Sequence, residues 1–145
     1  MLSYCRSASL SGIDAYEVQI EFDVGGGLPA IVIVGLPDAA VKESKDRVRS
    51  AINNSGFEFP EKRITINLAP ADTKKEGPAF DLPIALGILS ANEVFPSSLM
   101  DKYIFIGELS LDGGIRAVKG ILPIAADILK KGHKHLVLPK ENALE

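Results

Sequence analysis

Cysteine is nearly absent from this 145-residue chain: Cys5 stands alone. No disulfide framework can form within the chain, and no secretory leader pattern is present, so a reducing, cytoplasmic setting is expected. Cys5 heads an apolar strand pattern and reads as inert packing rather than a reactive thiol. Long apolar runs are also missing. The longest, Phe80 to Ala91, is interrupted by Asp81, Pro83 and Gly87 and falls short of the roughly 18–20 residues that cross a bilayer, so no membrane association is expected. No Gly-x-x-x-x-Gly-Lys-Ser/Thr occurs, and Gly25-Gly26-Gly27 precedes a strand rather than a helix, the wrong order for a phosphate cradle. Histidine is scarce too. His133 and His135 straddle Lys134 without a third ligand in view, so no metal site is expected there. The formal net charge of −3 gives no general pull toward nucleic acid, although a local basic patch would not show in a total.

What the chain does contain is strong local patterning, with 46% hydrophobic residues and evenly spread charge. Tyr16, Val18, Ile20, Phe22 and Val24 alternate without a break against Ala15, Glu17, Gln19, Glu21 and Asp23, which predicts a strand with one buried and one acidic, wet face. Glu17, Glu21 and Asp23 share that face and read as solvated carboxylates, not metal ligands. Leu2 to Leu10 is a weaker strand joined to it through Ser11-Gly12-Ile13-Asp14, and Leu28 to Val34 is a short apolar strand. Asp38 is the expected N-cap of a helix whose apolar stripe is Val41, Val48, Ala51 and Ile52, with Gly56 closing it in the left-handed conformation. The polar side of that helix carries Lys42, Glu43, Lys45, Asp46, Arg47 and Arg49, a solvated mixture in which Lys42, Lys45 and Arg49 line one basic edge.

Arg63 to Leu68 alternates again and predicts a strand, followed by a loop through Gly77 that holds Lys74, Lys75 and Glu76. Pro78 to Ala91 is apolar almost all round and predicts a buried helix, either capped by Asp81 or kinked at Pro83. Strands are expected at Tyr103–Gly107, Ile115–Val118 and His135–Leu138. A helix from Leu122 to Lys131 is expected to turn Ile124, Ala125, Ile128 and Leu129 inward. The alternation of elements gives an α+β fold, a mixed sheet with helices packed on it.

Three stretches carry a resemblance. Gly35-Leu-Pro-Asp-Ala-Ala-Val-Lys-Glu-Ser through Ile52, Ile64-Thr-Ile-Asn-Leu-Ala-Pro-Ala-Asp-Thr-Lys-Lys-Glu-Gly-Pro-Ala-Phe-Asp-Leu-Pro through Leu86, and Gly107-Glu-Leu-Ser-Leu-Asp-Gly-Gly-Ile-Arg through Ile121, with Leu136-Val-Leu-Pro-Lys-Glu-Asn142, resemble the magnesium-chelatase-like, competence-type bacterial AAA+ ATPases. The resemblance covers essentially the whole chain. It implies an N-terminal domain of the Lon-protease type, a two-layer α/β sandwich of the kind shared with ribosomal proteins, followed by a AAA+ module that holds ATP and magnesium. It also implies a further helix and strand after Asn142, so that the domain runs on past Glu145.

The same resemblance bears on catalysis. A Lon-type site needs a serine nucleophile and a partly desolvated lysine to take its proton. Here the nucleophile's motif reads Glu76-Gly77-Pro78-Ala79, with a methyl group at the serine position, and the lysine position, counted from Gly107-Glu108, falls at Ile124 with Lys119 nearby. The chain is therefore expected not to be an enzyme and to need no cofactor of its own. Three functions compete. The first is an accessory domain, for assembly or DNA contact, in a hexameric motor of DNA branch migration in recombination or natural transformation, with its own AAA+ module and neighbouring subunits as partners. The second is a free-standing nucleic-acid module, with Lys42, Lys45, Arg47, Arg49, Lys74, Lys75, Arg116 and Lys119 as phosphate contacts; the Gly77-Pro78 entry reads first as the start of a core helix, with anion binding by the Gly77 backbone beside Lys74 and Lys75 as the alternative. Phe57 and Phe59 are better explained as core or loop anchors than as bases' stacking partners. The third, a small-molecule phosphotransferase, would need a better phosphate loop than Glu76 to Phe80 provides.

Overall fold

The computed structural model describes residues 2–12, 14–132 and 135–144. Ile13 of the expected hairpin connection and His133 of the histidine pair lie outside them.

The chain opens as a long hairpin, β1 (Leu2–Ser11) against β2 (Asp14–Gly25), antiparallel with Cys5 opposite Ile20 and Ser7 opposite Val18. The alternation in β2 does what period two requires: Val18, Ile20, Phe22 and Val24 are buried, while Gln19 and Asp23 are exposed. β3 (Ala30–Val34) runs parallel to β4 (Arg63–Ala69), and β4 runs antiparallel to β2. On the other side of β1 come two short parallel strands, β5 (Ile104–Phe105) and β8 (Leu136–Val137). The mixed six-stranded sheet has the order β3-β4-β2-β1-β5-β8, and β6 (Glu108–Leu109) and β7 (Ile115–Arg116) form a separate small ribbon. The three late strands are each shorter than the hydrophobic runs suggested, and β7 is exposed.

Between β3 and β4 the predicted helix is present but divided. Asp38 caps α1 (Ala39–Lys42), its carboxylate accepting from the Val41 N–H at 2.8 Å, and after Glu43 the chain restarts as α2 (Ser44–Asn54). The side of α2 taken as polar contributes two inward groups at the break: Ser44 is buried, and Arg47 reaches back to donate to the Ala40 carbonyl at 2.9 Å. The stripe Val41, Val48, Ala51 and Ile52 is buried as the spacing requires, and Gly56 has φ +90°.

The apolar segment after Gly77 enters through a 3-10 turn at Pro78–Phe80 and becomes α3 (Asp81–Ala91). Pro83 sits in its first turn, where a backbone N–H has no intrahelical partner in any case, so no kink is needed. Asp81 does not cap the helix; its side chain turns away to α2. Gly87 is the point of closest approach between α3 and β2, since a Cβ there would overlap the Phe22 ring. Together α2, α3 and one face of the sheet enclose the larger core, built on Phe22, Ile64, Ile66, Leu68, Ile84 and Ile88. α4 (Ile121–Lys130) packs on β1 and β2 and closes a second cluster of Ala8, Ile104, Ile106, Ile121, Ile124 and Ile128. The inward face of α4 is thus Ile121, Ile124 and Ile128; Ala125 is half-buried and Leu129, expected inside, is 74% exposed. The α+β sandwich is the architecture that the patterning called for.

Candidate functional site: a cleft at the start of α3

A cavity of about 620 Å³ lies where the end of β1, the loop before α3, the segment after β7 and the start of α4 converge. Its walls include Ala79 and Ile124, the two positions that the resemblance gives to a Lon-type dyad. Ala79 packs against the cluster that contains Ile124, which is 4% exposed. Two positions 45 apart in sequence are therefore brought to one cleft, which they line with a methyl and a sec-butyl group. Lys119 lines the same cleft.

Local chemistry fixes this geometry tightly. Asp38 serves two elements, since its second carboxylate oxygen accepts from the Gly77 N–H at 3.2 Å while the first caps α1. The segment before α3 is laid alongside the exit of β3: the Lys75 N–H donates to the Leu36 carbonyl and the Asp38 N–H to the Lys75 carbonyl, both at 2.9 Å. Lys75 itself points inward, fully buried, its ammonium donating to the carbonyls of Gly35 (2.7 Å) and Pro70. Burial lowers its pKa, partly offset by Asp72. Gly35 has φ +104° and lies so close to β4 that a Cβ would collide with the Leu68 carbonyl. Behind the cleft, Ala79 accepts from the Gly107 N–H at 2.9 Å and Leu82 donates to the Gly107 carbonyl at 3.0 Å. The opposite wall is held by Asn142, whose side-chain amide bonds both the N–H and the carbonyl of Val118 at 2.9 Å.

Beneath α3 lies a buried polar knot. Asp81, fully buried, accepts from Ser44 Oγ (2.6 Å), Arg47 Nε (2.7 Å), Arg47 Nη2 (3.0 Å) and the Leu109 N–H (3.1 Å). The Asp81 carboxylate raises the pKa of the Arg47 guanidinium still further.

The sequence-predicted contact residues divide accordingly. Lys42, Lys45, Arg49 and Lys74 are exposed, with Arg49 lying over the Phe59 ring at 4.6 Å. Phe59 is buried in the core and Phe57 is 41% exposed. Lys75 and Arg47 need correcting, because one is buried on two carbonyls and the other is committed to Asp81. Gly77 needs correcting too: its N–H is taken by a carboxylate, and Asp38, Glu76 and Glu108 outnumber Lys119 around the cleft, a field that repels phosphate. The roles of Ser44, Asp81 and Asn142 were not seen in the sequence. The Ser44/Arg47 spacing of three on one helix was the only local hint. Among the described residues no group of three or more His, Cys, Asp or Glu is placed to hold a metal, and no helix is long and apolar enough to cross a membrane.

Residues 20–142 match the family model described as subunit ChlI of Mg-chelatase. The chain belongs to the ChlI family. It is 45% identical over 141 residues to the uncharacterized protein YifB of Escherichia coli K12, covering 97% of this chain, and 45% identical over 144 residues to the competence protein ComM of Haemophilus influenzae Rd, covering 99%. A fainter similarity, 25% over 146 residues and 95% of this chain, extends to the Lon protease of Protochlamydia amoebophila, of which it covers 17%. This ChlI-family chain spans 28% of the length of YifB and of ComM.

Proposed function

We propose that the chain is a non-catalytic accessory domain, of the Lon-protease type, in a AAA+ ATPase. The observation that supports this reading is the cleft itself: Ala79 and Ile124, the positions that the resemblance gives to nucleophile and base, both line it with alkyl groups, and Lys119 stands at the same cleft. Loss of a nucleophile alone typically lowers turnover by about 10⁶. The similarity to the competence protein ComM supports a whole protein that acts as a hexameric motor of DNA branch migration in recombination or natural transformation. In that protein ATP and magnesium belong to the ATPase module outside these residues, the partners are that module and neighbouring subunits, and the compartment is the cytoplasm. A P-loop encoded downstream of Glu145 is required; an open reading frame without one sinks the proposal.

Within this reading the domain either contacts DNA or organises the ring. DNA contact is favoured only by exposed cations, Lys42, Lys45, Arg49 and Lys74. Fluorescence anisotropy of the 145-residue chain with single-stranded, duplex and branched DNA across a salt series separates the two. Saturable binding that weakens steeply with salt and falls in Lys42→Glu, Lys45→Glu and Arg49→Glu marks a DNA-contacting domain. No binding at low salt assigns it to assembly.

A further inference from the structure

The sheet ends on one side at β3, and that edge is unusually bare. From Val24 to Pro37 the sequence holds no ionisable side chain, and edge strands are ordinarily protected by charge. Apolar groups cluster there: Leu28 is 86% exposed, Leu36 52% and Val34 43%. The ladder to β4 shows which backbone groups are free. Ala30 donates to the Lys62 carbonyl, so in the parallel register the amides and carbonyls of Ala30, Val32 and Val34 face β4. Those of Ile31 and Ile33 face outward, and among the described residues no strand pairs with that edge.

We propose that β3 is a self-pairing edge, joining two copies of this chain antiparallel about a two-fold axis through Val32. The strand is built for that register. Ile31-Val32-Ile33 reads the same in both directions, so Ile31 of one copy meets Ile33 of the other. These are the residues whose backbone groups point outward, and the two such pairs close four hydrogen bonds. Val32 meets Val32 as the close, non-hydrogen-bonded pair on the face of the sheet away from the main core, where side chains approach most nearly. The axis passes perpendicular to the sheet, so the α2–α3 layers of both copies lie on one side, and Ile31 and Ile33, which pack on the main core, continue it across the junction. Gly35 (φ +104°) and Leu36 (φ +58°) turn the chain out of the strand after Val34, so the paired ladder is confined to Ala30–Val34. Pro29, with no N–H to donate, stops the ladder at its other end. The contact is isologous and closes on two copies rather than extending. It does not depend on the function proposed above.

Sedimentation velocity on the 145-residue chain, combined with amide hydrogen exchange, tests it. So short an interface belongs to the weak class, so the series runs from about 10 µM to about 1 mM. The expected result is a concentration-dependent shift toward twice the 15.5 kDa of one chain, with exchange slowing at Ile31 and Ile33 and unchanged at Val32, already bonded to β4. Val32→Lys sets two ammonium groups opposite each other across the axis and abolishes the dimer, while Val32→Thr retains it; circular dichroism and Tm confirm that both fold. A monomer throughout the series overturns the proposal. So does a dimer that survives Val32→Lys, or one that leaves the Ile31 and Ile33 amides unprotected.

Discussion

Replacing Asp81 with alanine removes the acceptor on which α2, α3 and β6 converge. The carboxylate takes four hydrogen bonds, two of them from Arg47, and is fully buried. Breaking a buried ion pair from one side costs about 3–5 kcal/mol, since the remaining charge is stranded. Arg47 retains 20% side-chain exposure and can swing its guanidinium toward water, which recovers part of that cost. Ser44 Oγ and the Leu109 N–H have no such escape, and each unsatisfied buried group costs about 1–3 kcal/mol. A net loss of about 3–4 kcal/mol follows, which for a domain of this size lowers Tm on the order of 10 °C. Urea unfolding followed by circular dichroism measures it. In a double-mutant cycle, Asp81→Ala with Arg47→Met is expected to fall short of the summed single losses by more than about 1 kcal/mol, because the second change removes the stranded charge. A loss below about 1 kcal/mol for Asp81→Ala, or strict additivity in the cycle, refutes the account of this knot.

Three further outcomes are expected. Burial pushes the Cys5 thiol far above its ordinary range, so it stays unmodified by iodoacetamide in the folded chain at pH 8 and reacts once urea unfolds it. Above the unfolded thiol pKa of about 8.5 the unfolded chain loses a proton that the folded chain keeps; stability therefore falls with rising pH, by up to about 1.4 kcal/mol per unit, and Cys5→Ala flattens that slope in urea titrations at pH 8 to 10. Gly87→Ala is expected to destabilise by about 1–3 kcal/mol through overlap with Phe22, despite alanine's helix preference of about 1 kcal/mol, and Phe22→Leu in the same chain restores part of the loss. Ala79→Ser alone is expected to yield no peptide hydrolysis above background in a fluorogenic casein assay, because Ile124 cannot take the serine's proton; hydrolysis that a further Lys119→Met abolishes refutes this by making Lys119 the base.

Much of the frame was legible because the forces that set it are local. The unbroken alternation of β2 and β4, the Asp38 cap, the α2 stripe and the Gly56 terminus each follow from a few neighbouring residues. What escaped was decided across the fold. Lys75 looks like any loop lysine until Gly35 and Pro70, which follow different strands, present their carbonyls to it. Asp81 reads as a helix cap until Ser44 and Arg47 arrive from 37 and 34 residues away. Leu129 fits the helical period as well as Ile128 does, and only the placement of α4 on β1 and β2 decides that one is covered and the other is not. The resemblance reached positions that periodicity does not, since Ala79 and Ile124, which it singled out, line one cleft.

The packing of Ile124 also gives the proposed loss of chemistry a direction in time. Its neighbours in the second cluster, Ala8, Ile106, Ile121 and Ile128, are all alkyl groups. A lysine arising there gives up this alkyl packing and must be held partly desolvated, which weakens the domain, while a serine arising at position 79 gains nothing without that lysine. Neither step back toward a peptidase is favoured alone, and natural domains hold too little spare stability to wait in the intermediate. On the proposed reading, a cleft floor made of hydrocarbon makes the loss of proteolysis hard to reverse, because the packing of the core itself opposes each step back.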